Sequence, residues 1–159
     1  MGCDIHPYAE RREGDRWVLV KDAKTWEPDE FGTFRCYGIF AWLAGVRNYS
    51  AVEPAFPHRG VPEDASPEVV RLWDEGQDYY HSPSYVTLDE LDAVDYDEEI
   101  EDRRCTREIR TNYWDGAQTC EPGEGKRMTL GEFLGPWFLS ETKRLRDLGV
   151  ERIVFWFDN

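Results

Sequence analysis

Along the first eleven residues apolar and polar positions alternate, with Cys3, Ile5 and Ala9 on one side and Asp4, His6, Tyr8 and Glu10 on the other. That is the period of a half-buried strand. Glu13-Gly14-Asp15 reads as a tight turn and Arg16-Trp17-Val18-Leu19-Val20 as the returning strand, so a β-hairpin is expected at the N-terminus. Pro7 lacks a ladder donor, which calls for a free side or a bulge at that point. The other end of the chain, Ile153-Val154-Phe155-Trp156-Phe157-Asp158, is a short and nearly unbroken apolar run, expected to be a strand in the same sheet as the first.

Between these ends the pattern turns helical. After a turn-rich stretch at 22–32, residues 37–46 carry apolar side chains at helical spacing, and a buried helix ending near Arg47-Asn48 is expected, with Gly38 and Gly45 permitting close backbone packing. Residues 51–67 hold Pro54, Pro57, Pro62 and Pro67 and read as a long irregular loop, a kind of segment that often carries function. Ser66-Pro67-Glu68 reads as a helix start with Ser as cap and Pro at the first position. Thr87-Leu88-Asp89-Glu90 and Thr129-Leu130-Gly131-Glu132 both match the capping box. The second of these should open a helix that is kinked or restarted at Gly135-Pro136 and stops at Gly149. Residues 104–127 are polar and glycine-broken, with one strand expected over 106–114, and read as a peripheral hairpin or excursion. The sum is a single α+β domain of 159 residues: a small, mostly antiparallel sheet, including the N-terminal hairpin and the C-terminal strand, packed by three to four helices.

Composition narrows the function classes. A net charge of −14 disfavours direct binding to nucleic-acid backbones. Part of that charge lies in 89–102, where nine residues are acidic. The run reads either as a solvated face or as an acidic module for a basic protein partner, even a mimic of nucleic-acid charge. Seven Trp, eight Tyr and eight Phe supply large apolar side chains for a core. The four cysteines form no Cys-x-x-Cys pair, and neither a leader-like segment nor an apolar run of membrane length is present. A cytoplasmic protein with reduced thiols is expected, engaging no membrane. Its partners would be an anionic small molecule, a basic protein or a second copy of itself.

Two constellations can carry chemistry. Asp4 and His6 share a strand face; with His81 and a carboxylate such as Asp4 or Asp158 they could hold zinc or another divalent metal with an open position, the basis of a metal-dependent hydrolase. The alternative is a strand histidine bonded to its neighbours. The second constellation is Arg47, Asn48, Arg59, His81, Ser82 and Tyr85, all expected in or beside loops: guanidinium, hydroxyl and aromatic groups suited to an anionic, nucleotide-like ligand. The alternative there is that Arg47 closes a helix C-terminus and Arg59 pairs with Glu63 or Asp64.

Met1-Gly2-Cys3-Asp4-Ile5-His6 and Val154-Phe155-Trp156-Phe157-Asp158-Asn159 together resemble the ends of a family of uncharacterised phage and bacterial proteins. Residues 40–47, Arg59-Gly60-Val61-Pro62-Glu63-Asp64 with Ser66, and His81-Ser82 followed by Tyr85-Val86-Thr87-Leu88 and Glu90 extend the likeness. Where the family pattern has Gly before His-Ser and Trp before the capping box, this chain has Tyr80 and Tyr85. The resemblance implies a phage or prophage setting and one locus containing Asp4, His6, Arg47, Arg59, Asp64, His81 and Ser82. It implies no reaction. A phage-type accessory protein that binds, and thereby sequesters, a host signalling nucleotide is the expectation that joins these readings.

Overall fold

A computed structural model of the chain describes residues 2–26, 35–108 and 114–159. The elements run β1 (Asp4–Glu13), β2 (Arg16–Leu19), α1 (Tyr37–Ala44), α2 (Pro67–Gly76), β3 (His81–Thr87), α3 (Leu88–Asp92), β4 (Glu99–Asp102), β5 (Arg104–Glu108), β6 (Trp114–Thr119), β7 (Lys126–Thr129), α4 (Leu130–Leu134), α5 (Pro136–Asp147) and β8 (Arg152–Asp158). The main sheet has the order β2-β1-β8-β3, and all its pairs are antiparallel. The first and last strands are therefore neighbours, as their patterning led one to expect, with Asp4 opposite Asp158, Ile5 opposite Phe157 and Glu10 opposite Arg152.

Each strand's burial follows from its place. β1 alternates half-buried and buried residues over its first six positions, whereas β8, central and covered on both faces, is buried from Arg152 to Phe157. One face carries Ile5, Ala9, Ile153, Phe155 and Phe157 against α1, α4, α5 and Trp26, forming the main core. The opposite face carries Tyr8, Val154 and Trp156 under Val69, Leu72 and Trp73 of α2. Pro7 sits where β2, paired only with Glu10 to Glu13, no longer flanks β1, so its missing N–H breaks no ladder bond on that side.

α1 stops because Gly45 takes a left-handed conformation (φ 74°), its N–H donating to Ala41 O while the Val46 N–H turns back to Phe40 O. Gly38 admits the Phe133 ring, which would stand 3.1 Å from a Cβ placed there. Both capping boxes form in full: Thr87 and Thr129 accept from the N3 backbones, and Glu90 and Glu132 reach back to the cap N–H groups. Ser66 differs. It stands at the start of α2 without a side-chain cap bond: its N–H is given to Glu10 Oε2 at 2.7 Å, and its Oγ is buried unpaired. Gly135 is extended at positive φ and Pro136 has no N–H to donate to the ladder, so the last helical stretch is two helices, and five helices stand among the described residues where three to four were expected.

Two further departures concern loops. His81 and Ser82 begin β3 instead of lying in a loop before it. The strand expected over 106–114 is two paired strands, β5 and β6, whose hairpin is inserted between the paired β4 and β7; residues 109–113 of that expectation, like 27–32 of the turn-rich stretch, fall outside the described residues. The molecule is a small α+β domain, and no helix among the described residues is long and apolar enough to cross a membrane.

Candidate functional site

The register of the sheet separates residues that the sequence grouped. Residues directly opposed across two strands share a face, and successive residues along one strand alternate faces. His6 is opposite Trp156, and His81 is opposite Phe157, so the two histidines point to different sides of the sheet. On the α2 side, His6 Nε2 lies 3.1 Å from Asp158 Oδ2, and its ring packs on Tyr80 at 4.9 Å between centroids. Asp4 is held by Arg35 through two hydrogen bonds of 2.7 and 2.9 Å, which keep its carboxyl below the usual aspartate range. His81 instead stacks on Phe157 over the main core, with ring centroids 6.1 Å apart. Asp4, His6 and His81 therefore do not converge, and among the described residues no group of three or more His, Cys, Asp or Glu is placed to hold a metal ion.

Arg59, Asp64 and Tyr85 are built into the framework. Arg59 makes a bidentate contact with Glu90 (2.9 and 2.7 Å), donates to Tyr85 O at 3.2 Å and lies over the Phe56 and Tyr85 rings. Its partner is thus Glu90, not Glu63 or Asp64. Hydrogen bonding to Arg59 is the main cause that holds the Glu90 carboxyl below its ordinary range. With Gly60 N donating to Pro83 O and Arg59 N to Ser84 Oγ, this loop occupies the outer edge of β3, where an open strand would invite pairing with another chain. Asp64 accepts from Arg152 at 2.8 Å and from Trp17 Nε1 at 3.0 Å. Arg152 in turn makes two bonds, of 2.9 and 2.7 Å, to Glu10, whose side chain is fully buried. This buried pair is a feature that sequence reasoning missed: the alternation placed Glu10 on the polar side of β1, but only the β1–β8 register sets it opposite Arg152. Tyr85 packs on the α2 side, opposite Val154.

The acidic run is also partly engaged. Arg146 reaches Asp89 at 3.2 Å and contacts Asp92, Arg127 pairs with Glu99, and Glu101 Oε1 accepts from the Gly123 and Gly125 N–H groups at 2.8 Å each. Asn48 closes a local turn through both its amide atoms with Val52.

What does converge is a pocket of about 420 Å³ at the end of the sheet, between the end of α1, the proline-rich loop, the first residues of β3 and the C-terminus. Its polar lining is Arg47, Glu53, His58, His81, Ser82 and Asn159, and Pro54 and Pro57 supply much of the apolar wall. Arg47 Nη2 donates to Asn159 Oδ1 at 2.9 Å. Further hydrogen bonding, to Tyr49 first and also to Cys3, raises the Arg47 pKa, so the guanidinium is a permanent positive charge. Burial pushes the Cys3 thiol up, against the opposing pull of Arg47. His81 Nδ1 and Ser82 Oγ stand 3.0 Å apart, and His81 Nε2 is buried without a partner among the described residues. Buried polar groups are ordinarily paired, so an orphan beside a pocket marks a place where a bound polar group gains most.

The backbone singles out the same pocket. Arg47 (φ 51°), His58 (φ 57°) and Ser82 (φ 52°) are three of the five non-glycine residues with positive φ among those described. Each costs of order 1–3 kcal/mol, and such strain collects where a fold holds side chains in place for a purpose. Sequence spacing offered no sign of this strain, since none of the three is Gly and only tertiary packing imposes it. The chain matches no protein-family model, no curated protein and no solved structure, so its function has to be argued from this geometry.

Proposed function

We propose that the pocket binds a small anionic molecule of nucleotide-like character, with Arg47, His58, His81 and Ser82 as its polar contacts and the Pro54–Pro57 wall as an apolar platform for a ring. The observation that carries this reading is the convergence of Arg47 and the His81-Ser82 pair on one pocket whose backbone is strained at Arg47, His58 and Ser82. In a chain of net charge −14 the overall field repels an anion, so a site for one must supply its own positive charge locally, and Arg47 does so. Arg59, committed to Glu90, takes no part in it; nor is it among the lining residues. In a phage-type accessory protein, such binding would serve to sequester a host signalling nucleotide.

Calorimetry and thermal-shift measurements against a panel of nucleotides and inorganic phosphate test this. Binding is expected to weaken at least about tenfold in Arg47→Gln, a loss of about 1.4 kcal/mol, and to weaken with added salt, whereas Arg59→Ala should lower stability without changing affinity. Absence of binding across the panel would overturn the reading.

A further inference from the structure

The pocket holds a serine and a histidine within hydrogen-bond reach, and we infer that Ser82 is a nucleophile and His81 its base, acting on an ester whose acyl portion carries an anionic group. This inference rests on the pocket being the ligand site proposed above. Three observations support it. Ser82 Oγ and His81 Nδ1 are 3.0 Å apart, the spacing a nucleophile and its base require. Ser82 is at φ 52°, a strained conformation for a residue with a Cβ. Its hydroxyl shares the pocket with the permanent charge of Arg47 and the apolar wall of Pro54 and Pro57, where the charged end of a substrate can be held while its ester bond reaches Ser82.

The step balances without any redox partner. Ser82 Oγ attacks the carbonyl carbon and its proton passes to His81 Nδ1; the bond to the leaving alcohol breaks as that proton is delivered to the departing oxygen. Water then attacks the acyl-Ser82, its proton passes to His81 Nδ1 and on to Ser82 Oγ, and the carboxylic acid leaves. Nδ1 is free to accept only in the tautomer that keeps the imidazole proton on the buried Nε2. His81 is oriented by its stack on Phe157 rather than by a carboxylate. Loss of the orienting carboxylate lowers turnover by about 10⁴-fold in serine hydrolases that have one, so slow turnover and an accumulating acyl-enzyme are expected here.

The test uses the full chain with three probes: a fluorophosphonate that labels reactive serines, 4-nitrophenyl acetate, and the 4-nitrophenyl monoester of succinic acid. Expected are stoichiometric labelling of Ser82 located by mass spectrometry, a nitrophenol burst, and at least about tenfold preference for the anionic ester that Arg47→Gln removes. Ser82→Gly is the informative variant, because glycine accepts φ 52° without strain: it should melt no lower than the parent while losing both labelling and burst. His81→Gln should lose the burst. A parent chain that is unlabelled, or labelled at another serine, or whose burst survives in Ser82→Gly, overturns the inference. Nucleotide binding by the parent chain, measured by calorimetry beside its labelling, separates the two claims: binding without labelling leaves only the binding proposal, and labelling of Ser82 without binding leaves only the nucleophile.

Discussion

At the scale of single residues the most consequential side chains are ones the fold hides. Glu10 is fully buried and its carboxylate takes two bonds from Arg152 and one from the Ser66 N–H, while the Arg152 side chain is only 5% exposed and also lies over the Trp17 ring at 3.9 Å. Removing one partner leaves an uncompensated buried charge, whereas replacing both with apolar residues of similar volume can be neutral. Arg152→Ala is therefore expected to cost about 3–5 kcal/mol, and the double variant Glu10→Met with Arg152→Leu should recover most of that. Urea unfolding of the single and double variants measures both; equal losses in the two would show that the cost is lost packing and not stranded charge.

Elements begin and end here for reasons that differ between superficially similar motifs. Thr87 and Ser66 both precede helices, but Thr87 accepts a hydrogen bond from Glu90 N at 3.1 Å while Ser66 caps nothing and buries its hydroxyl unpaired. Thr87→Ala should cost about 1 kcal/mol, the usual value of a working cap. Ser66→Ala should be neutral or stabilising, since it removes an unsatisfied polar group and no bond. Thermal unfolding checks this: Thr87→Ala should melt lower than the parent and Ser66→Ala no lower. The same comparison explains why α3, only five residues long, holds its place: its N-terminal Glu90 satisfies the cap and also grips Arg59, so loop and helix start are one unit.

Across the whole molecule the arginine–carboxylate contacts that join segments distant in sequence include three whose carboxyls are shifted: Asp4 with Arg35, Asp64 with Arg152 and Glu90 with Arg59. All three carboxyls have lowered pKa values, chiefly through hydrogen bonding to those arginines. A carboxyl whose folded pKa is depressed contributes stability that is present above its unfolded pKa, roughly 4, and lost as the pH falls through the lower folded value. The fold should thus hold its stability from neutrality down to about that point and lose it progressively below. Arg59→Ala should flatten the part of this acid limb due to Glu90. Urea midpoints between pH 6 and pH 2.5 follow it, and an unchanged acid limb in the variant would show that the Glu90 contact contributes no linkage. Exposure tempers the size: the Asp64 side chain is 64% exposed, so solvent screens its share.

Much of the architecture was legible in the chain because it is set by local rules. The alternation of β1, the apolar run of β8, both capping boxes and the break at Gly135-Pro136 are short-range consequences of side-chain period, cap hydrogen bonds and backbone freedom, and each recurs in the structure. The pocket was legible only in part. Arg47, His81 and Ser82 were marked by residue type, but Arg59 and Asp64 look identical to site residues until Glu90 and Arg152 are brought beside them by tertiary contacts. The division of His6 from His81 is likewise a matter of register: one step along β8 separates Trp156 from Phe157 and sends their partners to opposite faces. Sequence by itself determined the N-terminal hairpin, the helices and the apolar last strand, and that the two ends belong to one sheet, but not β3, β4 or β7. Pairing register, and the packing that forces Arg47, His58 and Ser82 into left-handed backbone, decided which polar residues share a pocket, because facing and strain depend on neighbours that lie far away in the chain.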